Sequence, residues 1–160
     1  RVWPGRQGSE SADSAYRQSV AANLREIGEK ALKAGIEIAL EFHGNSLTDT
    51  VDSALTLMRE VNHPNVMLYW QQPHGKTTEA RLKGLKLVLP HLTHIHAFYW
   101  EFHGGQHQRR PLREGISAWR SYIDIARGST ANRFVLLEFV RNDDPKQFLE
   151  DAETLKSLLE

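Results

Sequence analysis

Apolar residues along this chain are spaced in two ways, and the two spacings alternate. In residues 13–34 they recur at helical intervals, and Gly35 follows as a stop signal. Residues 36–42 then form a short, nearly continuous apolar run, which is typical of a buried strand. Three further runs predict strands in the same way: residues 66–70, 93–100 and 134–140.

The segments between these runs predict helices. Ser46 or Thr48 is suited to cap a helix that ends near Val61. The remaining predicted helices cover residues within 78–89, residues 116–126 and a segment that begins at 144–145. Residues 101–114 are polar and predict a loop longer than usual between a strand and a helix, which favours a lid or a role in substrate binding.

Strict alternation of strand and helix, with strands apolar throughout, predicts an α/β fold with a parallel sheet. With residues 1–3 counted as the end of a strand, the pattern contains five strands and five helices. A (β/α)8 TIM barrel needs about 250 residues, and this chain has 160. We therefore expect one domain over residues 1–160, the C-terminal five β/α units of such a barrel. The N-terminal strands would lie before Arg1 or be supplied by a partner chain.

Composition narrows the functional classes. The chain carries 20 basic and 20 acidic residues, which argues against nucleic acid or an anionic membrane as the main partner. Cysteine is absent, so disulfides and thiolate metal sites are excluded. No apolar run reaches the roughly 20 residues of a membrane span. We expect a cytoplasmic protein whose partner is a small molecule, with a homo-oligomer possible.

Four polar residues lie at or near the C-terminal ends of the predicted strands: Glu41, Gln71, His96 and Glu138. The C-terminal ends of parallel barrel strands meet on one face, where TIM-barrel enzymes hold their active sites. A single glutamate of this kind is equally well explained by a salt bridge within the barrel. Two glutamates at matching positions, with a histidine between them, favour a site, because a buried charge needs a partner or a metal.

Oxygen and imidazole donors without sulfur suit Mn²⁺, Mg²⁺ or Co²⁺, with Zn²⁺ possible. Such an ion can polarise the carbonyl of a bound sugar and stabilise an enediolate while a carboxylate removes a proton from the neighbouring carbon. Carboxylates on both sides of the sugar would allow removal on one face and return on the other. These residues therefore predict an isomerase or epimerase.

Four short motifs carry a family resemblance: LEFHG at residues 40–44, YWQQPH at 69–74, HIH at 94–96 and LEF at 137–139. Their order and spacing resemble the xylose isomerase-like superfamily of sugar-phosphate isomerases and epimerases. The resemblance implies a (β/α)8 barrel in which Glu41, His96 and Glu138 bind the metal and both glutamates act as acid and base. Where the family usually has aspartate this chain has Gln71, a weaker neutral donor. His74 stands where the family often has a substrate-binding histidine.

Further residues are candidates for substrate binding. Trp3 and Trp100 lie near strand ends and would form either packing contacts or a pocket wall for the apolar face of a sugar. Arg110 would bind a phosphate or a sugar hydroxyl, or remain a surface charge. His43 would line the pocket or support it from outside. Two other functions stay open: a non-catalytic sugar-binding barrel with a degenerate metal site, and an endonuclease of abasic DNA on the same fold.

Overall fold

A computed structural model of the chain describes residues 1–128 and 132–160, and for His103 the backbone alone. The strands are β1 (Ile38–Glu41), β2 (Val66–Gln71), β3 (Leu92–Ala97), β4 (Tyr99–His103), β5 (Gln106–Arg110) and β6 (Phe134–Leu137). The helices are α1 (Ser14–Lys33), α2 (Val51–Val61), α3 (Thr78–Val88), α4 (Ile116–Arg127) and α5 (Pro145–Leu159). No helix in the described part of the chain is long and apolar enough to cross a membrane.

The main sheet is parallel and has the strand order β1-β2-β3-β6. Val2 adds a single parallel bridge to Leu40 at the β1 edge, which is where the sequence predicts a fifth strand. Helices separate the consecutive strands, as expected of parallel connections. The predicted α/β class, as part of a parallel barrel, is confirmed.

Alternating side chains give the sheet two different faces. Leu40, Leu68, Trp70 and Ile95 are fully buried against the helices. The ring of Trp70 packs edge-on against Tyr122 of α4, with the ring centroids 5.3 Å apart. Each such buried side chain stabilises the fold by roughly 1.5–3 kcal/mol. The residues between them, which include Glu41 and His96, therefore point to the opposite face.

The cap of α2 differs from the prediction. Thr50 caps this helix, and its side chain accepts a hydrogen bond from the Ser53 amide at 3.2 Å. Ser46 and Thr48 are instead buried in the preceding loop. The Thr48 hydroxyl donates to the Glu41 carbonyl at 2.5 Å, and Ser46 donates to the His43 carbonyl at 2.7 Å. These two hydroxyls therefore fix the loop that follows Glu41.

The predicted loop at residues 101–114 is wrong, because most of it forms a β-hairpin. Strands β4 and β5 pair antiparallel, and Gly104 and Gly105 make the turn at φ values of +55° and +82°. Two adjacent glycines are a hairpin signal, since both turn residues need positive φ. The strands escaped prediction because β5 is polar and largely exposed, and lacks the alternation of a half-buried strand.

Two predicted strands also end three residues earlier than expected. β3 ends at Ala97, and β4 begins at Tyr99 in a separate sheet. β6 ends at Leu137, although the Glu138 amide still donates to the Ala97 carbonyl at 3.1 Å. Phe139 then turns the chain with φ at +54°. Apolar character alone cannot show where the chain leaves a sheet, so both predictions ran past the true ends.

Candidate metal centre

Three of the predicted strand-end residues converge on one point. Glu41 is the last residue of β1, His96 lies near the end of β3, and Glu138 directly follows β6. Each offers one ligand atom, and these atoms all lie within 4.8 Å of one another. Among the described side chains this is the one group of three or more acidic, histidine or cysteine residues that could hold an ion.

His96 Nδ1 lies at the centre of the group and faces three oxygen atoms. Glu41 Oε1 is 3.2 Å away, Glu138 Oε2 is 3.1 Å away, and Gln71 Oε1 is 3.2 Å away. A single N–H on this nitrogen can donate a good hydrogen bond to one of the three at most. Two acceptors therefore remain without a donor from this ring.

Gln71 is held in one orientation by the backbone. Its Nε2 donates to the Phe42 carbonyl at 2.6 Å, which turns Oε1 toward His96. The side chain is 8% exposed, so the amide has little freedom to turn over. The oxygen therefore faces His96 Nδ1 as a neutral donor, beside the atoms of the three other predicted ligands.

The donor set fits a divalent cation. Glu138 Oε2 is a buried atom with no hydrogen-bond partner in the structure. Its contact with His96 is an ion pair only if the ring is protonated, and burial lowers the pKa of His96. Neighbouring ligands of an octahedral ion at 2.0–2.2 Å are roughly 3 Å apart, which is the spacing around His96 Nδ1. An ion of this kind would satisfy all three oxygens.

Burial and like charge shift the ionisation of the group. The pKa of Glu138 is raised, first by burial and then by the charge of Glu41. Burial also raises the pKa of Tyr69 to about 12, and the charge of Glu138 contributes further. Tyr69 therefore stays a neutral phenol, and its ring packs 4.1 Å from the His96 ring. The surroundings thus favour a state in which His96 is neutral and a cation lies against the two carboxylates.

Two residues of the N-terminal segment complete the surroundings. Trp3 Nε1 donates a hydrogen bond to Glu41 Oε2, and its ring stacks on His43 at 4.1 Å. Arg1 Nη1 lies 3.4 Å from Glu41 Oε1 and 3.5 Å from Glu138 Oε1. Sequence reasoning missed Arg1, because no local pattern links it to a residue 137 positions away.

A cavity of about 380 Å³ opens beside the group. Gln71 lies on its wall, and His43 and His74 line it as well. His74 stacks on Trp100, with ring centroids 4.7 Å apart and planes within 16°. Burial, followed by the charge of His107, lowers the pKa of His74, so this ring favours its neutral form. The structure therefore brings His74 and Trp100 to one side of the cavity.

Arg110 does not line this cavity. Its side chain pairs with Glu114 at 2.8 Å and with Glu101 at 3.3 Å. It borders a separate hollow beside Arg109 and Arg141. Its guanidinium is therefore already paired with two carboxylates. Of the two alternatives for Arg110, substrate binding or a surface charge, this arrangement matches the surface charge.

Known proteins resemble this chain both in sequence and in structure. The 3-dehydroshikimate dehydratase of Bacillus anthracis is 37% identical over 68 residues, which cover 42% of this chain and 24% of that protein. The structure of the probable 3-DHS dehydratase AsbF from Bacillus anthracis is similar over 99% of this chain, with a TM-score of 0.78 and 25% identity. The chain spans 62% of the length of that structure.

A D-allulose 3-epimerase from Methylomonas sp. shares the fold, with a TM-score of 0.63 and 17% identity over 92% of this chain and 57% of that one. Residues 1–158 match the family described as xylose isomerase-like TIM barrel. The chain therefore belongs to the xylose isomerase-like TIM barrel family.

Proposed function

We propose that this chain carries the metal centre of an enzyme that removes a proton next to a carbonyl group of a sugar or sugar phosphate, as an isomerase or epimerase. The observation that carries the proposal is the spacing of Glu41, His96 and Glu138, with Gln71 Oε1 completing four donors around one point. The unsatisfied oxygen Glu138 Oε2 supports the proposal further, because a buried acceptor without a hydrogen bond is suited to an ion.

The ion would be Mn²⁺, Mg²⁺ or Co²⁺, with Zn²⁺ as a further option, and Glu41, Gln71, His96 and Glu138 would hold it. When bound, it would polarise the substrate carbonyl and so acidify the neighbouring C–H bond.

Glu138 is the better placed of the two glutamates to take the proton. Its pKa is raised by burial and by Glu41, and a base works best when its pKa approaches the working pH. Its side chain is 23% exposed, against 3% for Glu41, so it is the more accessible of the two glutamates. Glu41 is the second carboxylate of the group and would return the proton, and the hydrogen bond from Trp3 fixes the orientation of its side chain.

His74 and Trp100 would bind the substrate from the opposite wall. A neutral imidazole can both donate to and accept from a hydroxyl group, and an indole face suits the apolar side of a sugar ring. Trp3 would act indirectly by holding Glu41 and His43. Arg110 is left out of the proposed substrate site, since its guanidinium pairs elsewhere.

Solvent exchange tests this function. The protein would be incubated with Mn²⁺ and a panel of ketoses and ketose phosphates in D₂O, and deuterium at the carbon next to the carbonyl would be followed by NMR. We expect exchange that stops when EDTA removes the metal. Binding of a ketose without exchange would instead support the non-catalytic sugar-binding barrel.

Dehydration of a hydroxy-ketone is the second candidate. It begins with the same proton removal and ends with loss of a neighbouring hydroxyl group as water. The similarity to a 3-dehydroshikimate dehydratase favours it, because that relative is 37% identical to this chain over 68 residues. Mass spectrometry of the same reactions, with 3-dehydroshikimate added to the panel, separates the two: a product that has lost water indicates the dehydratase.

A further inference from the structure

Arg1 occupies a position between the two carboxylates of the metal centre. Its Nη1 is 3.4 Å from Glu41 Oε1 and 3.5 Å from Glu138 Oε1, so one guanidinium nitrogen bridges both. The same two side chains supply the anionic charge of the donor set, since Gln71 and neutral His96 carry none. Arg1 is therefore the nearest cation to the place where a metal would lie.

We propose that Arg1 is an internal counter-ion that competes with the divalent metal for Glu41 and Glu138. This inference rests on the proposed function, because it requires that the group binds metal. In the metal-free protein Arg1 offsets the repulsion between the two carboxylates. When the ion binds, the guanidinium must leave, because it is repelled by the ion and both need Glu41 Oε1.

The geometry of the two contacts makes this exchange feasible. The contacts of Arg1 at 3.4–3.5 Å are long for charge-assisted hydrogen bonds, which are commonly about 2.7–2.9 Å. Glu41, in contrast, is 3% exposed and tied to Trp3, so the carboxylate stays in place.

The effect of Arg1 on metal affinity is larger because Gln71, where the family has aspartate, carries no charge. With two carboxylates instead of three, the site has a formal charge of −2 without Arg1 and −1 with it. Arg1 therefore cancels half of the charge available to attract the ion. Metal affinity in this chain should depend on Arg1 more than on any other basic residue of the described part of the chain, since no other arginine or lysine there pairs with either glutamate.

Mn²⁺ binding measured by electron paramagnetic resonance tests the inference without any assay of activity. Arg1→Gln should lower the Kd for Mn²⁺ by about tenfold or more, because it removes a positive charge beside the ion. Arg1→Lys keeps the charge and should stay closer to wild type. The matched control is Arg6→Gln, which makes the same charge change on an exposed side chain of the same segment and should leave the Kd unchanged.

Thermal unfolding with and without Mn²⁺ gives a second reading that exposes a folding defect. Arg1→Gln should lower Tm in EDTA, where the carboxylates lose their counter-ion, and gain more Tm than wild type on saturation with Mn²⁺. Equal or weaker Mn²⁺ binding by Arg1→Gln, with binding by wild type intact, would overturn the competition and leave the proposed function standing. Failure of both proteins to bind at millimolar Mn²⁺ would overturn both.

Discussion

Two histidines on β3 lie two residues apart on the same face of the sheet and both contact Tyr69, but their polar surroundings differ. His94 lies beside two aromatic rings, those of Tyr69 and Phe134, whose centroids are each 5.4 Å from its own. His96 faces oxygen atoms of Glu41, Glu138 and Gln71 at 3.1–3.2 Å. The first environment belongs to a packing layer, and the second to a ligand group.

The difference places the group that could hold a metal in the last layer of side chains on this sheet. A step of two residues along a strand moves a side chain by about 6.5 Å, which suffices to pass from aromatic contacts to carboxylates. Residue type alone does not distinguish the two histidines. Their positions relative to the strand end distinguish them. The four predictions below concern side chains at the strand ends.

Glu138→Gln should have the largest effect, because it removes both an anionic ligand and the proposed base. We expect solvent exchange to fall by about 10²–10⁴-fold, the usual contribution of a general base. Mn²⁺ binding should weaken as well, since the site loses half of its anionic charge. NMR-detected exchange and Mn²⁺ titration check this. Undiminished exchange would show that Glu138 is not the base.

His96→Gln and His94→Gln make the same change in the two layers. Loss of a ligand should weaken Mn²⁺ binding by at least about 100-fold at His96, the upper end of what even supporting residues cost. At His94 we expect unchanged Mn²⁺ binding and a loss of about 1 kcal/mol of unfolding free energy from the missing ring contacts. Equal effects on metal binding would refute the division into layers.

Gln71→Asp replaces the neutral amide by a carboxylate on a side chain that is one methylene shorter. It restores a negative donor, so we expect the Kd for Mn²⁺ to fall by about tenfold. The substitution also removes the hydrogen bond to the Phe42 carbonyl, so unfolding in EDTA should be followed beside the titration. Tighter binding together with lower metal-free stability is the expected pair of results. A weaker binder would show that the amide oxygen does not face the ion.

A milder effect is expected from pH. Metal binding needs neutral His96 and ionised Glu138, and both take up protons as pH falls. The pKa of His96 lies below its ordinary value of 6.5, and that of Glu138 lies above its ordinary 4.5. Mn²⁺ affinity should therefore stay level above pH 6.5 and decline on further acidification. In Glu138→Gln the decline should be shallower, since one competing proton is gone.

The sequence predicted the convergence of Glu41, His96 and Glu138 better than the contacts around them, for a physical reason. Strands alternate with period two and end before polar loops, so Glu41, His96 and Glu138 could be assigned to one face from local pattern alone. The contacts of Arg1 and the ring stack of Trp3 on His43 depend on how distant segments meet, which no local pattern encodes. The β4–β5 hairpin was missed because β5 is polar and largely exposed.

Titration of the wild-type protein with Mn²⁺, followed by electron paramagnetic resonance, tests the central claim most directly. We predict one bound ion per chain, with binding lost in His96→Gln and retained in His94→Gln. Absence of binding at millimolar Mn²⁺, or binding that survives loss of His96, would contradict the claim that these strand ends form a metal centre.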